Sequence, residues 1–377
     1  MRIAIIRKRY VSHGGAERFT GDFINHLMAR GLEVHLIAAE WIGERDAKIF
    51  FHPVPMLRFG SFFSTLTFTL GVSRVCRRNR FDLVQSHERT LSHDLYRAGD
   101  GCHREWLLRR KRGASFFKRL SIAFNPFHWL MLWIEGRLMK HSKKVVAISK
   151  GVREEILRHY GVPPERVTVI YNSVDLERFH PKRRETTGRS LRVEKEIKEQ
   201  EKVILFVGSG FERKGVGPLI EAVARLRDLP VKLWIVGKGD IGKYQRRVDH
   251  LHLQDQVRFF GPVAPVDPFY AAADLFVFPT LYEPFGQVHL EALASGLPVI
   301  THRYCGGAEA IECGVNGDLL DDPTDPEEIS SKIRRLIEHP DPETLRRAAR
   351  RAAEAFHPDR ILAQWEALYR GLDVRAG

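Results

Sequence analysis

The sequence predicts an α/β protein with two doubly wound domains, each a parallel sheet covered by helices. Three observations predict it: short apolar runs rich in β-branched residues, helical patterns between them, and the recurrence of this alternation in both halves. The length of 377 residues suits two domains. The candidate strands are residues 3–6, 33–38, 83–85, 144–148 and 167–171 in the first half, and 203–207, 232–236, 257–260, 275–278 and 298–300 in the second.

The first strand-helix-strand unit illustrates how these elements are recognised. The strand 3–6 is followed by apolar residues at helical spacing over 16–30, and Gly31 ends that helix. Gly14 and Gly15 lie between strand and helix, where backbone N–H groups and the helix dipole favour an anion. A Gly-Gly turn by itself is more often structural.

The domain boundaries follow from composition. We expect a first domain over 1–175 and a second over 202–357, joined by a linker at 176–201 that is highly charged and nearly free of large apolar residues. The tail 358–377 reads as a helix that crosses back to the first domain. One face of that helix carries Ile361, Leu362, Trp365 and Leu368.

The charge is concentrated in the first half. The chain holds 60 Lys and Arg against 47 Asp and Glu, a net charge of +13, and residues 1–180 hold 31 basic and 17 acidic side chains. Residues 107–150 alone hold eleven basic side chains against the single acid Glu135. Such a field attracts nucleic acid, anionic lipid or a phosphorylated substrate.

Aromatic and basic residues are interleaved over 106–120, and 124–133 adds further aromatic residues, as suits the headgroup region of an anionic leaflet. The competing interpretation is a buried helix beside a solvated basic face. A nucleic-acid-binding protein would also explain the charge, although the sequence holds no recognition-helix, zinc-finger or RNA-binding signature.

Cysteine content and the amino terminus predict the compartment. The four cysteines form no C-x-x-C pair and are read as reduced thiols. The first residues lack the features of a signal peptide, and no uncharged run reaches the ~20 residues of a membrane-spanning helix. We therefore expect a cytoplasmic protein attached peripherally to the inner face of the cytoplasmic membrane.

The sharpest motif runs from Glu283, in a turn before Pro-Phe-Gly, to Glu291, inside a helix. A carboxylate can accept two hydrogen bonds from the vicinal hydroxyls of a ribose, so this pair could hold a nucleotide sugar at two points. Two solvated surface acids are the alternative. Arg213 and Lys214 follow a strand and a glycine-containing turn, where two cations can neutralise a leaving diphosphate without a metal. An ordinary charged turn is the alternative there.

These segments, together with 171–179 and 301–317, resemble the retaining glycosyltransferases of family 4. The resemblance implies the GT-B fold, with two Rossmann-like domains facing a central cleft, and a nucleotide-sugar donor bound without metal or other cofactor. The donor-binding residues it implies are Gly14, Gly15, Gly208, Arg213, Lys214, Glu283, Phe285, Gly286, Gln287, Val288 and Glu291.

The resemblance also assigns roles to the catalytic residues. Arg213 and Lys214 would stabilise the departing phosphates, Glu283 would hold hydroxyls of the transferred sugar, and Glu291 would hold the ribose. Residues 94–103 are similar to the stretch of lipopolysaccharide core glucosyltransferases that brings an Asp to the reacting centre, which makes Asp100 catalytic. Other members of family 4 place a histidine there, so three histidines remain alternatives: His87, His93 and His103.

The expected function is transfer of a hexose, glucose from UDP-glucose, to a lipopolysaccharide core or related lipid-linked glycan at an anionic membrane surface. One alternative is a family 4 enzyme that uses another nucleotide sugar for exopolysaccharide or glycolipid synthesis. The other is a basic nucleic-acid- or membrane-binding protein on the same scaffold. Nucleic acid is not an expected partner.

Overall fold

The computed structural model describes residues 1–11, 18–111 and 115–372, which form two compact units. The first unit contains residues 1–172 and 361–377, and the second contains residues 173–360. Gly14 and Gly15 lie outside the described residues.

The described part of the first unit contains a seven-stranded parallel sheet in the order β3-β2-β1-β4-β5-β6-β7. Its strands are β1 (Arg2–Val11), β2 (Glu33–Ile42), β3 (Phe50–Pro53), β4 (Leu83–Ser86), β5 (Leu95–Ala98), β6 (Lys144–Ala147) and β7 (Val167–Val169). Its helices before the second unit are α1 (Arg18–Ala29), α2 (Gly60–Arg78), α3 (His103–Lys111), α4 (Phe116–Ala123), α5 (Pro126–His141) and α6 (Lys150–Tyr160).

The described part of the second unit contains a six-stranded parallel sheet in the order β10-β9-β8-β11-β12-β13. Its strands are β8 (Lys202–Val207), β9 (Val231–Val236), β10 (Val257–Gly261), β11 (Leu275–Phe278), β12 (Val299–His302) and β13 (Gly317–Leu320). Its helices are α7 (Thr187–Glu194), α8 (Phe211–Lys214), α9 (Val216–Val223), α10 (Ile241–His250), α11 (Asp267–Ala272), α12 (Gln287–Ala294), α13 (Pro326–Ile337) and α14 (Pro342–Glu354). Both units are thus the doubly wound α/β domains that the sequence predicts.

The tail forms α15 (Pro358–Arg370), and from Ile361 onward it belongs to the first unit. Trp365 is buried in the same apolar core as Ile3 and Phe23, the latter from α1. The hydroxyl of Tyr369 donates a hydrogen bond to the side-chain oxygen of Gln85 on β4. A helix that follows the second unit in sequence therefore completes the core of the first.

The segment 176–201 is not a free linker but a structured part of the second unit. It contains a 3-10 helix, Pro181–Glu185, and α7. Its charged residues predicted solvation, yet they pair with buried acids. Asp274 accepts hydrogen bonds from Arg184 Nη2 at 2.6 Å and from Arg192 Nη1 at 3.0 Å, and Arg178 Nε donates to Asp267 at 2.8 Å. Because these charged residues are paired with buried acids rather than solvated, their charge does not indicate a linker.

Within the described ranges, the helices are all either too short or too polar to cross a bilayer.

Candidate functional site

The carboxyl edge of the second sheet is where the chain reverses its winding. From β8 the chain proceeds to β9 on one side, while β11 lies on the other. Ligands of open α/β sheets bind at such a switch point, outside the carboxyl ends of the strands. The loops that follow β8, β11 and β12 contain Gly208, Glu283 and Gly306 respectively.

These loops touch backbone to backbone. Gly215 has φ +80°, and a Cβ there would lie 2.0 Å from the carbonyl oxygen of Pro279. A Cβ on Gly306 would lie equally close, 2.0 Å, to the carbonyl oxygen of Pro284. The amide of Gly306 donates to the carbonyl of Glu283 at 2.9 Å. Glycine is needed at both positions because any side chain would push the loops apart.

Arg213 and Lys214 end the short helix α8 and both reach Glu283. Arg213 Nη1 donates to the carbonyl of Tyr282 at 2.6 Å and lies 3.4 Å from Glu283 Oε2. Lys214 Nζ forms an ion pair with the same carboxylate oxygen and lies 4.8 Å above the ring centroid of Phe278. The structure therefore brings together the two cations and the acid that the sequence predicts as catalytic.

Burial makes the charge of Lys214 costly. Burial and, to a smaller extent, the neighbouring Arg213 together lower the pKa of Lys214 from 10.5 to about 7. Burial also lowers the pKa of Arg213. The carboxylate of Glu283 acts in the opposite direction, because a nearby negative charge favours the ammonium form. An arriving anion would have the same effect and would be strongly attracted.

A buried histidine stabilises the turn between Glu283 and α12. Gly286, at φ +78°, precedes α12. The ring of His289 hydrogen-bonds the Gly286 carbonyl at 2.8 Å through Nδ1 and Thr301 Oγ1 at 2.9 Å through Nε2. Burial lowers the pKa of His289 to about 4, so the ring is neutral and Nδ1 is the donor to the carbonyl. Sequence reasoning missed this histidine, which lies two residues before Glu291.

The other predicted donor-binding residues of this turn have distinct environments. Phe285 is buried, and Val288 is half-buried. The side-chain amide of Gln287 donates to the carbonyl of Ser173 at 2.7 Å. Gln287 therefore ties the start of α12 to the residue that opens the second unit.

Glu291 lies on α12 and is half-buried. Its Oε2 accepts a hydrogen bond of 2.9 Å from the hydroxyl of Tyr270 on α11. Tyr270 is fully buried. Burial and, to a smaller extent, the carboxylate of Glu291 raise the pKa of its hydroxyl well above the ordinary value, so the hydroxyl remains a hydrogen-bond donor. Sequence reasoning missed Tyr270 because only the tertiary fold brings α11 beside α12.

In the first unit, Asp100 lies at the carboxyl edge of the sheet, directly after β5. Its side chain is 73% exposed, and Oδ2 lies 3.7 Å from Arg89 Nη1. Glu135 holds Arg89 in place. Its carboxylate accepts hydrogen bonds from Arg89 Nε at 3.0 Å and from the backbone amide of His103 at 2.8 Å. Glu135, the single acid of the basic segment, is thus a fully buried support of the Asp100 loop.

The three alternative histidines occupy different places. His87 follows β4 at the same edge as Asp100 and is buried, which lowers its pKa well below 6.5. His93 precedes β5, at the opposite edge of the sheet, and its Nε2 lies 2.9 Å from Ser142 Oγ. His103 begins α3, and its Nε2 lies 3.1 Å from Nδ1 of His128. Of these four candidates, Asp100 alone combines the carboxyl edge with an exposed side chain.

The aromatic and basic segment is partly buried and partly exposed. Met131, Ile134 and Leu138 on α5 are buried, whereas Trp129 and Trp133 on the same helix are exposed. Phe116, Phe117 and Phe124 are exposed on and beside α4. The buried-helix interpretation therefore holds for one face of α5, and the membrane interpretation stays a prediction for the exposed side chains.

In the described residues, no group of three or more His, Cys, Asp or Glu side chains is arranged to hold a metal ion.

Comparison with known families gives two adjacent matches. Residues 13–178 match the family described as glycosyltransferase family 4, and residues 187–355 match the glycosyl transferases group 1. The matches correspond to the first and second units.

The chain is similar to lipopolysaccharide glucosyltransferase WaaG of Escherichia coli (strain K12), with 26% identity over 340 residues, 89% of this chain and 90% of that protein. A crystal structure of WaaG, a glycosyltransferase involved in lipopolysaccharide biosynthesis, superposes with a TM-score of 0.83 at 24% identity, covering 100% of both chains. Anabaena Alr3699/HepE in complex with UDP-glucose superposes with a TM-score of 0.75 at 20% identity, covering 99% of this chain and 100% of that one.

Proposed function

Because this chain is a glycosyltransferase of GT-B fold, with a family 4 domain followed by a group 1 domain, we propose that it transfers glucose from UDP-glucose to a lipopolysaccharide core or related lipid-linked glycan. The observation that carries the proposal is the cluster of Arg213, Lys214 and Glu283 at the switch point of the second sheet. The named activity of WaaG and the UDP-glucose complex of HepE support the choice of donor and acceptor.

The transfer proceeds with retention of the anomeric configuration, by front-face displacement. The acceptor hydroxyl attacks the anomeric carbon on the side that the diphosphate leaves. The bond from that carbon to the phosphate oxygen breaks, the new glycosidic bond forms, and the proton passes to a phosphate oxygen. Such a reaction needs electrostatic stabilisation rather than a protein nucleophile.

Each residue of the cluster has a role in this reaction. Arg213 and Lys214 neutralise the charge that develops on the diphosphate, and two adjacent cations make a metal unnecessary. Glu283 binds hydroxyls of the transferred glucose once the diphosphate competes for Lys214. Glu291 holds the ribose, and Asp100 orients the acceptor at the edge of the first sheet.

The enzyme works as a peripheral protein on the inner face of the cytoplasmic membrane. The exposed Trp129 and Trp133, with Arg137 and Lys140 on the same face of α5, suit the headgroup region of an anionic leaflet. A lipid-linked acceptor would be presented at that surface.

Calorimetric titration with UDP, GDP and ADP, each with and without EDTA, tests the donor site. We expect metal-independent binding of UDP alone. Lys214→Ala should abolish measurable binding or depress turnover at least tenfold, while Lys182→Ala, which changes an exposed lysine of the same unit, should change neither. Binding of GDP or ADP instead would favour the alternative, a family 4 enzyme for exopolysaccharide or glycolipid synthesis. Failure of all three nucleotides to bind would refute the donor site.

A further inference from the structure

Helix α2 carries an exposed stripe that the basic segment does not include. Phe59, Phe63 and Leu70 are 82%, 46% and 62% exposed, and Arg74 and Arg77 continue the same face toward the end of the helix. Spacings of seven, four and three residues keep Phe63, Leu70, Arg74 and Arg77 on one side of the helix. Phe59 directly precedes α2, and its ring centroid lies 6.1 Å from that of Phe63. We call this set the α2 stripe. Apolar side chains occupy its first part and guanidinium groups its second.

Helix α5 repeats this arrangement. Trp129 and Trp133 are 57% and 51% exposed, and the exposed Arg137 and Lys140 follow them on the same face. In both helices the first exposed cation follows the last exposed apolar residue by four positions, which is about 6 Å along the axis. Leu70 and Trp133 are those last apolar residues.

The two helices run in the same direction. Helix α2 contacts α5, and each helix ends shortly before a strand of the same parallel sheet, β4 or β6. Both therefore run opposite to the strands, with their apolar parts toward the carboxyl edge. Arg74 and Arg137 each lie four residues before the last residue of their helix, so the change from apolar to basic side chains falls at the corresponding position in both helices.

We propose that the α2 stripe is a second membrane-contacting surface, which inserts Phe59, Phe63 and Leu70 beside the lipid phosphates of an anionic leaflet. The guanidinium groups of Arg74 and Arg77 then lie at the phosphate level, and no carboxylate pairs with either of them among the described residues. Two contacting helices that both insert their apolar parts would fix the inclination of the first unit, which one helix cannot do. This inference rests on the membrane attachment proposed above.

Sedimentation with phosphatidylcholine vesicles, with and without phosphatidylglycerol, tests the inference on the full chain. The double variant Phe59→Ser and Phe63→Ser should bind mixed vesicles about tenfold more weakly than the unchanged protein. Phe50→Ser is the matched control, because Phe50 is 53% exposed but lies at the start of β3, at the other edge of the sheet. UDP binding should be unchanged in both, which shows that they fold.

The possible outcomes separate the two proposals. If the unchanged protein binds neither vesicle, membrane attachment itself is refuted. If it binds and the double variant binds equally well, only the α2 surface is refuted. Concentration-dependent self-association that the double variant abolishes, with vesicle binding intact, would make the stripe a contact between copies and would also overturn the inference.

A different observation supports a second inference, on nucleotide recognition. We infer that Tyr270 is a positioning residue for Glu291: its buried hydroxyl holds Oε2 at 2.9 Å and so aims the carboxylate at the ribose hydroxyls. This deepens the donor-site proposal, on which it rests. Loss of the hydroxyl would remove this hydrogen bond from Oε2.

The test compares UDP with its 2′,3′-dideoxy analogue by calorimetry. The unchanged protein should prefer UDP at least tenfold, since the analogue leaves Glu291 without its hydroxyl partners. Tyr270→Phe should bring this preference down to less than about threefold while analogue binding stays unchanged. An unaltered preference, or an equal loss of affinity for both ligands, would make Tyr270 merely structural and refute the inference. Absence of UDP binding to the unchanged protein would refute the donor site instead.

Discussion

Nucleotide binding to the second unit should weaken with rising pH because of Lys214. In the free protein burial lowers the pKa of Lys214 to about 7, so the side chain is largely neutral above that pH. A bound diphosphate favours the ammonium form and returns the pKa toward its ordinary 10.5. Binding therefore takes up a proton between these two values, and affinity falls as pH rises.

The size of the effect follows from the two pKa values. With a free pKa of about 7 and a bound pKa of 10.5, the dissociation constant for UDP rises roughly 70-fold between about pH 7.5 and about pH 9.5. This corresponds to about 2.5 kcal/mol. Stabilisation of the ammonium form by Glu283 in the free protein would make this change smaller. The phosphates of UDP are fully ionised throughout this range, since the second phosphate pKa is about 6.

The assay is calorimetric titration with UDP across this pH range, in two buffers of different ionisation enthalpy. The unchanged protein should take up close to one proton per UDP bound near pH 8.5. Lys214→Met keeps the volume of the side chain but cannot titrate, so its weaker binding should be independent of pH. A pH-independent dissociation constant in the unchanged protein, or the same slope in the variant, would refute the reasoning.

Three further predictions concern stability and metal dependence. Asp274→Asn removes the buried charge shared by Arg184 and Arg192. We expect urea denaturation to show a loss of about 3–5 kcal/mol in the free energy of unfolding. An unchanged denaturation midpoint would contradict the structural role of this acid. Gly215→Ala places a Cβ 2.0 Å from the carbonyl oxygen of Pro279 at φ +80°, so the melting temperature and UDP affinity should fall together; a variant that binds UDP normally would count against this contact. EDTA should leave UDP binding and transfer unchanged, and an activity that disappears with EDTA and returns with Mg²⁺ or Mn²⁺ would contradict the metal-independent reaction.

Local pattern was enough to predict the two α/β units, because each long apolar strand and each helix is encoded within its own segment. Local pattern did not predict three short strands. β3 reads Phe-Phe-His-Pro, β5 reads Leu-Tyr-Arg-Ala and β13 reads Gly-Asp-Leu-Leu, and none contains a β-branched residue. Their pairing in the sheet, rather than their composition, makes them strands.

Much of the candidate donor site was also readable from sequence, because its residues cluster in short motifs. Arg213 and Lys214 are adjacent, and Glu283 and Glu291 are separated by one turn and the start of a helix. A parallel sheet brings the loops that follow its strands to one edge, so motifs that follow β8 and β11 necessarily meet. The ion pair between Lys214 and Glu283 is a consequence of that topology.

By itself, the sequence determined the fold class, the family resemblance and the identity of the charged groups, since each of these is written in contiguous residues. Only the tertiary structure decided which charges are paired and which side chains stay exposed. High charge and few large apolar residues predicted a linker at 176–201, and Glu135 was only the single acid of a basic segment. Pairing with Asp274 and Arg89 respectively gives both of them structural roles. The contacts of Tyr270 with Glu291 and of α2 with α5 likewise exist only in the folded chain. The physical reason is that burial and pairing depend on neighbours distant in sequence, which no local pattern records.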